Sequence, residues 1–226
     1  MPEKVAYVLD FDGTITTKDI SKELAIHYNE DQFWIIHNAY KKGELGMRDW
    51  LEQSAALLPS NYDQLITTAL NYATVRPGLT DFLDYAASQS RPVVIASDGF
   101  GFYIEPILES AGMLDKITGI YRNDLALDDH CLPFVRYLHG HNNCKICGNC
   151  KANHVNDFVN SGFQVVFVGD GTNDIYGASV ANYIAARDRL ADLCSIRELN
   201  YHSWEDYFDL IKISNLLFSQ GFQGAS

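Results

Sequence analysis

Apolar runs approaching the roughly 20 residues needed to cross a bilayer are missing from this 226-residue sequence, so no membrane-spanning segment is expected. Basic residues are scarce: 17 lysines and arginines face 29 aspartates and glutamates, a formal charge of -12. A surface that acidic repels a phosphate backbone and an anionic bilayer alike. Neither nucleic acid nor membrane is therefore expected as a partner, and any anionic ligand needs a local cation. The five cysteines are odd in number and thinly spread. They do not make the disulfide framework of a secreted scaffold, and a reducing, cytoplasmic setting is expected. Met1–Asp12 lacks both the basic start and the small-residue cleavage site of a secretory leader, and none is expected. Internal repeats are also lacking, and nothing in the sequence fixes an oligomeric state. What is present, 47% hydrophobic residues, suffices for one well-buried core and a small accessory unit.

Four short apolar runs rich in β-branched residues stand out: Val5–Leu9, Pro92–Ala96, Val165–Val168 and Tyr183–Ala185. Unbroken apolar runs of that length suit strands covered on both faces, so the expected class is α/β, a Rossmann-like parallel sheet flanked by helices. Three of the runs lead into loops of acids, glycines and hydroxyls: Asp10-Phe11-Asp12-Gly13-Thr14, Ser97-Asp98-Gly99, and Gly169-Asp170-Gly171-Thr172-Asn173-Asp174. Loops at the carboxyl ends of parallel strands can converge on one ligand.

Residues 17–75 differ in character. Leu24, His27, Tyr28, Phe33, Ile36, Tyr40, Trp50, Leu51, Leu57 and Leu58 recur at helical spacing, with a turn at Lys41-Lys42-Gly43 and a return near Arg76-Pro77-Gly78. They read as a small helical cap inserted after the first strand, with residues 1–16 and 76–226 forming the core. The alternative is that these helices belong to a single core.

An Asx-type turn explains Asp12-Gly13-Thr14 but not Asp10, because a buried strand that ends in an acid needs a partner for the charge. Magnesium is such a partner: it takes oxygen ligands, commonly one or two carboxylates together with a substrate phosphate. Asp10 and Asp170 are the candidate carboxylates, with the backbone carbonyl of Asp12 as a third oxygen.

These segments resemble the haloacid-dehalogenase superfamily of phosphotransferases. Asp10-Phe11-Asp12-Gly13-Thr14 is similar to its first signature, Ser97 to the second, Lys151 to the third, and Gly169–Asp174 to the fourth, in the family's order. The resemblance implies an aspartyl-phosphate mechanism with Asp10 as nucleophile and Asp12 as general acid and base. It implies magnesium at Asp10, Asp12 and Asp170, and substrate contacts from Ser97, Asp98, Gly99, Lys151 and Asn173. Asp174 would stand behind the metal, holding its water. The partner so implied is a small-molecule phosphate ester.

Cys144, Cys147 and Cys150 are spaced by three and run directly into Lys151. Zinc bound there, with a fourth ligand from Cys131, His139, His141 or His154, is less expected than reduced thiols, because no second Cys-x-x-Cys pair completes the pattern. A cysteine-containing stretch ending in Cys-Lys resembles the phosphoserine-phosphatase-like branch, which includes the 2-hydroxy-3-keto-5-methylthiopentenyl-1-phosphate phosphatases of methionine salvage and the phosphoethanolamine/phosphocholine phosphatases. For phosphoserine, Asp19 could serve as the recognition acid, but Arg48 lies early for the recognition arginine and is followed by acids. Tyr28, Trp34, Tyr40 and Trp50 either line a pocket for a thioether or belong to the core. Two readings from other classes stay open: a non-catalytic phosphate- or metal-binding module on the same scaffold, and phosphotransfer to an acceptor other than water.

Overall fold

The computed structural model describes residues 4–140 and 146–218. Strand β1 (Val5–Leu9) is buried along its whole length. The chain then enters an insert of three helices, α1 (Ile20–Lys41), α2 (Met47–Ala55) and α3 (Tyr62–Tyr72), and returns through α4 (Leu79–Ser88). There follow β2 (Val93–Phe100), α5 (Gly101–Ser110), β3 (Gly119–Leu127), β4 (Pro133–Arg136), α6 (Lys151–Asn160), β5 (Gln164–Gly169) and α7 (Asp174–Ala178). The chain ends with β6 (Tyr183–Ala186), α8 (Asp188–Ile196), β7 (His202–Ser203) and α9 (Tyr207–Phe218).

The strands form one seven-stranded sheet in the order β4-β3-β2-β1-β5-β6-β7. All pairings are parallel except β3 with β4. Two apolar clusters cover the sheet. One joins Tyr7, Leu9, Val93 and Ile95 to the α4–α9 side and runs on into the insert through Ile20, Leu24, Phe33 and Trp50. The other gathers Val8, Val94, Phe167, Ile184 and Leu190. Val5, Tyr7 and Leu9 of β1 face the first cluster and Val8 the second, so its side chains are apolar apart from the Tyr7 hydroxyl, which donates to Ser214 Oγ (2.9 Å). Each fully buried aliphatic or aromatic side chain contributes about 1.5–3 kcal/mol, which is why such strands tolerate no polar residue before their ends.

The second loop differs from the sequence expectation. Ser97, Asp98 and Gly99 belong to β2 and not to a turn after it. Ala96 pairs with Tyr121 and Phe100 with Asn123, so three residues of β2 face the single Arg122 of β3. Such a bulge re-aims side chains at a strand end.

The two connections to the insert lie side by side. Thr16 bridges Val75, Thr17 N–H donates to Thr74 O (2.9 Å), and Arg76 N–H donates to Ile15 O (2.8 Å). The buried Arg76 guanidinium donates to the carbonyls of Thr14 (2.9 Å) and Gly13 (2.5 Å), which pins the turn after β1. Within the insert α1 packs on α2 and α3, and α3 packs outward on α5. Asp19 caps α1 by accepting from Lys22 N–H (2.9 Å). Among the described residues no helix is long and apolar enough to cross a membrane.

Candidate active site

The carboxyl ends of β1, β2 and β5 open onto a cavity of about 240 Å³. The sheet side contributes Asp10, Asp12, Asp98, Gly99, Asp170 and Asn173, with Lys151 and Asp174 from the first turns of α6 and α7. The insert contributes His37, Tyr40, Lys41, Met47, Trp50 and Leu51. Of the three sequence-predicted loops, all converge here.

Lys151 is the hinge of the arrangement. It is buried, and its Nζ lies 2.7 Å from Asp10 Oδ1 and 2.5 Å from Asp174 Oδ1. The other oxygen of Asp174 accepts from the backbone N–H groups of Asp170 (2.9 Å) and Gly171 (2.8 Å), so this carboxylate is fully engaged. Asp170 accepts from Thr14 Oγ1 (2.6 Å), the hydroxyl of the first loop. Gly13 separates these two loops: its φ of 82° lies in the left-handed region, and a Cβ there would strike the Asp170 carboxylate.

Asp12 points elsewhere. Its Oδ1 accepts from Ile20 N–H (2.8 Å) at the start of α1, and its Oδ2 accepts from Tyr103 Oη (2.5 Å) on α5. Strand alternation would have set Asp10 and Asp12 on opposite faces; the turn instead brings both to one cavity.

The end of β2 is locked from beneath. Ser97 is buried, does not line the cavity, and accepts from Gly99 N–H through Oγ (2.9 Å). Asp98 accepts from Asn149 N–H (2.8 Å) and from Asn173 Nδ2 (3.0 Å), which ties the end of β2 to the loop after β5.

Three acids surround one ammonium, and the electrostatics reflect it. Burial, and after it the charge of Asp174, push Asp10 well above the usual carboxylate range, against the pull of Lys151. The same two causes raise Asp170 to about 7. Asp12 is pushed up to about 8 by burial and then by Asp19. Burial alone would favour a neutral Lys151, but Asp10 and Asp174 outweigh it and keep the ammonium charged. Asp10, Asp170 and Asp174 each offer an oxygen within 4.8 Å of the others. A hard, oxygen-only donor set with excess negative charge fits a divalent cation of the magnesium type.

The cysteine segment is only partly described: Cys144 and His141 lie outside the described residues. Among the described residues the Asp10, Asp170 and Asp174 trio is the one group arranged to hold a metal, and nothing among them supports zinc. The histidines considered as ligands are engaged differently. His154 stacks on Tyr121 with ring centroids 4.0 Å apart, and His139 meets both rings edge-on.

The site also uses residues that no motif flagged. Asn149 donates through Nδ2 to Ser97 O (2.9 Å) and Tyr121 O (2.7 Å), and its Oδ1 meets His154 Nε2 (2.6 Å). Its one sequence cue is a place directly before Cys150-Lys151. Of the four aromatics considered for a pocket, Tyr40 and Trp50 line the cavity. Tyr28 bonds Thr68 (2.9 Å), and Trp34 is half-exposed on α1. Arg48 turns away: its Nε donates to Cys147 O (3.0 Å) and its guanidinium sits 4.5 Å from the centre of the Tyr137 ring.

Comparison with known proteins agrees with this architecture. A family model described as "Putative Phosphatase" matches residues 5–187. A 2-hydroxy-3-keto-5-methylthiopentenyl-1-phosphate phosphatase of Microcystis aeruginosa is 31% identical over 202 residues, covering 89% of this chain and 93% of the relative. The enzyme of that name from Brevibacillus brevis is 27% identical over 227 residues, covering 94% and 96%. Among solved structures, a phosphoserine phosphatase with a phospho-aspartyl intermediate analogue superposes with a TM-score of 0.72 at 19% identity, covering 93% of this chain and 99% of the other. A substrate-bound phosphoserine phosphatase gives 0.73 at 19% identity, covering 94% and 99%. Because the family match runs from the first strand through the sixth and takes in all three converging loops, the chain belongs to the "Putative Phosphatase" family.

Proposed function

We propose that the protein is a magnesium-dependent phosphomonoesterase that works through an aspartyl phosphate on Asp10, with residues 17–75 acting as a cap over a core of residues 1–16 and 76–226. The observation that carries the reading is the Lys151 ammonium set between Asp10 and Asp174 (2.7 and 2.5 Å), with Asp12 turned aside and held in the same cavity. A carboxylate nucleophile, a cation and a separate carboxyl for proton transfer are what phosphoryl transfer needs and simple binding does not.

In the first step an Asp10 oxygen bonds to phosphorus as the ester P–O bond breaks, and the departing oxygen takes the Asp12 proton to leave as the alcohol. In the second, water bonds to phosphorus, its proton passes to the Asp12 carboxylate, and the bond to Asp10 breaks to release inorganic phosphate. Asp10, Asp170 and the Asp12 carbonyl would hold magnesium, which when bound offsets the charge of the acids and of the phosphate dianion. Lys151, Gly99 and Asn173, which line the cavity, would receive the phosphate oxygens, with the buried Ser97 beneath them. Gly99 N–H donates to Ser97 Oγ (2.9 Å), so binding would exchange that bond for one from Gly99 to phosphate.

The apolar wall of Tyr40, Met47, Trp50 and Leu51 supports a substrate with an apolar tail. That suits the methylthio-ketopentenyl ester named for the relatives better than phosphoserine, because Arg48 faces Tyr137 and, among the described residues, no arginine lines the cavity. The five cysteines continue to support a cytoplasmic setting.

The test is phosphate release with magnesium from methylthio-ketopentenyl, phosphoserine and phosphoethanolamine esters, for the protein and for Asp10→Asn. Turnover is expected to be fastest for the methylthio ester and to fall at least about a thousandfold in the variant. A variant as active as the parent would remove Asp10 as nucleophile.

A further inference from the structure

Asp12 must hold a proton aimed at the leaving oxygen in one half of the cycle and take one from water in the other, while keeping its place. Its Oδ1 is fixed by Ile20 N–H, and Oδ2 meets a buried phenol, Tyr103, whose hydroxyl also lies 2.9 Å from Ser21 Oγ. We infer that Tyr103 is the positioning residue for Asp12, the middle link of a string Asp12–Tyr103–Ser21 that orients the carboxyl group in both halves of the reaction. This inference rests on the reading of Asp12 as the acid and base.

Hydroxyl chemistry lets the string hold in both halves. A phenol donates to an oxygen of a carboxylate and of a carboxylic acid alike, and a serine hydroxyl can donate to the phenol in turn. Tyr103 takes one lone pair of Oδ2 and Ile20 N–H one of Oδ1, which leaves the remaining positions of the carboxyl group for the proton exchanged with the substrate and water. No heavy atom has to move, so Asp12 stays in place whichever way the proton has gone.

Two further observations support the assignment. The Tyr103 ring is fully buried and packed against Phe11, Phe100 and Phe102, with centroids 6.0, 6.3 and 5.3 Å away, so the hydroxyl has one place to point. At Gly99 a Cβ would lie 2.7 Å from Asp12 Oδ2 and would collide with the Tyr103 hydroxyl. The missing side chain at Gly99 of β2 is thus the passage by which the phenol reaches the acid. Tyr103 does not line the cavity, so it acts through Asp12 and not on the substrate.

Leaving-group dependence separates this role from a merely structural one. A poor leaving group such as an alkoxide needs the Asp12 proton; 2,4-dinitrophenolate departs without it. Tyr103→Phe keeps the ring and removes only the hydroxyl. Its kcat/KM is expected to fall at least about tenfold more for the fastest alkyl ester of the screen than for 2,4-dinitrophenyl phosphate, with Asp12→Asn showing the same split more strongly. An equal fall for both esters, or no fall, with the split present in Asp12→Asn overturns the Tyr103 inference alone. Absence of the split in Asp12→Asn overturns the Asp12 reading and the inference with it. If Tyr103→Phe does not fold, Ser21→Ala takes its place: a smaller split in the same direction supports the string, and none overturns it.

Discussion

At the scale of single residues, Asn149 shows how one amide can set the state of another group. Its Nδ2 is committed to two carbonyls, Ser97 O and Tyr121 O, so Oδ1 must face His154 Nε2, and that nitrogen must carry a hydrogen. Burial pushes His154 down from 6.5 to about 4, with smaller contributions from His139 and Lys151. The unfolded chain takes up a proton as pH falls through 6.5, whereas the folded chain does not until about 4. The associated stability is therefore complete above 6.5 and lost on the way down to 4, a loss of roughly 3 kcal/mol at most. His154→Gln keeps a donor for Asn149 but cannot titrate. Urea unfolding at pH 7 and pH 4.5 should show a smaller loss of stability in this variant than in the parent; equal losses would show that His154 does not carry the effect.

At the scale of elements, legibility followed burial. Strands β1, β5 and β6 were readable because both of their faces are covered, which forces an unbroken apolar run. β3 was not, because it is only half-buried and carries Arg122, Asn123 and Asp124 in its middle. β4 is a short edge strand that begins with proline, and β7 has two residues. The end of β2 resembles a loop in sequence because Ser97 and Asp98 are polar; a bulge opposite Arg122 is a pairing property that no local pattern encodes. The three loops at the strand ends were legible as motifs, whereas Tyr103 and Asn149 were not, since their partners lie 91 and 51 residues away in sequence. The insert announced its helices by their spacing, but not which face meets the ligand. That face includes Met47, in the first turn of α2 and half-buried in the cavity wall. Met47→Ala should lower kcat/KM for the methylthio-tailed ester by about tenfold, the worth of a lost apolar contact, and affect phosphoethanolamine far less. Equal effects on the two esters would mean that α2 does not read the tail.

At the scale of the whole molecule, the net charge of -12 and the buried acid cluster act in the same direction. Asp10, Asp170 and Asp174 confront a single ammonium, and burial together with mutual repulsion raises the first two. Folding without a cation therefore stores repulsion at the centre of the sheet, and the surrounding negative field draws divalent ions toward it. A ligand that binds only the folded chain stabilises it by RT ln(1 + [L]/Kd), about 2.7 kcal/mol at a hundredfold excess over Kd. For a chain of this length that corresponds to a rise in Tm of roughly 5–10 °C on adding magnesium, reversed by EDTA. Asp170→Asn removes one of the three charges: without metal it should melt no lower than the parent, and with magnesium it should gain little. A variant that gains as much as the parent would show that the cation binds away from the ends of β1 and β5, and the charge balance of the cavity would then have to come from the protein alone.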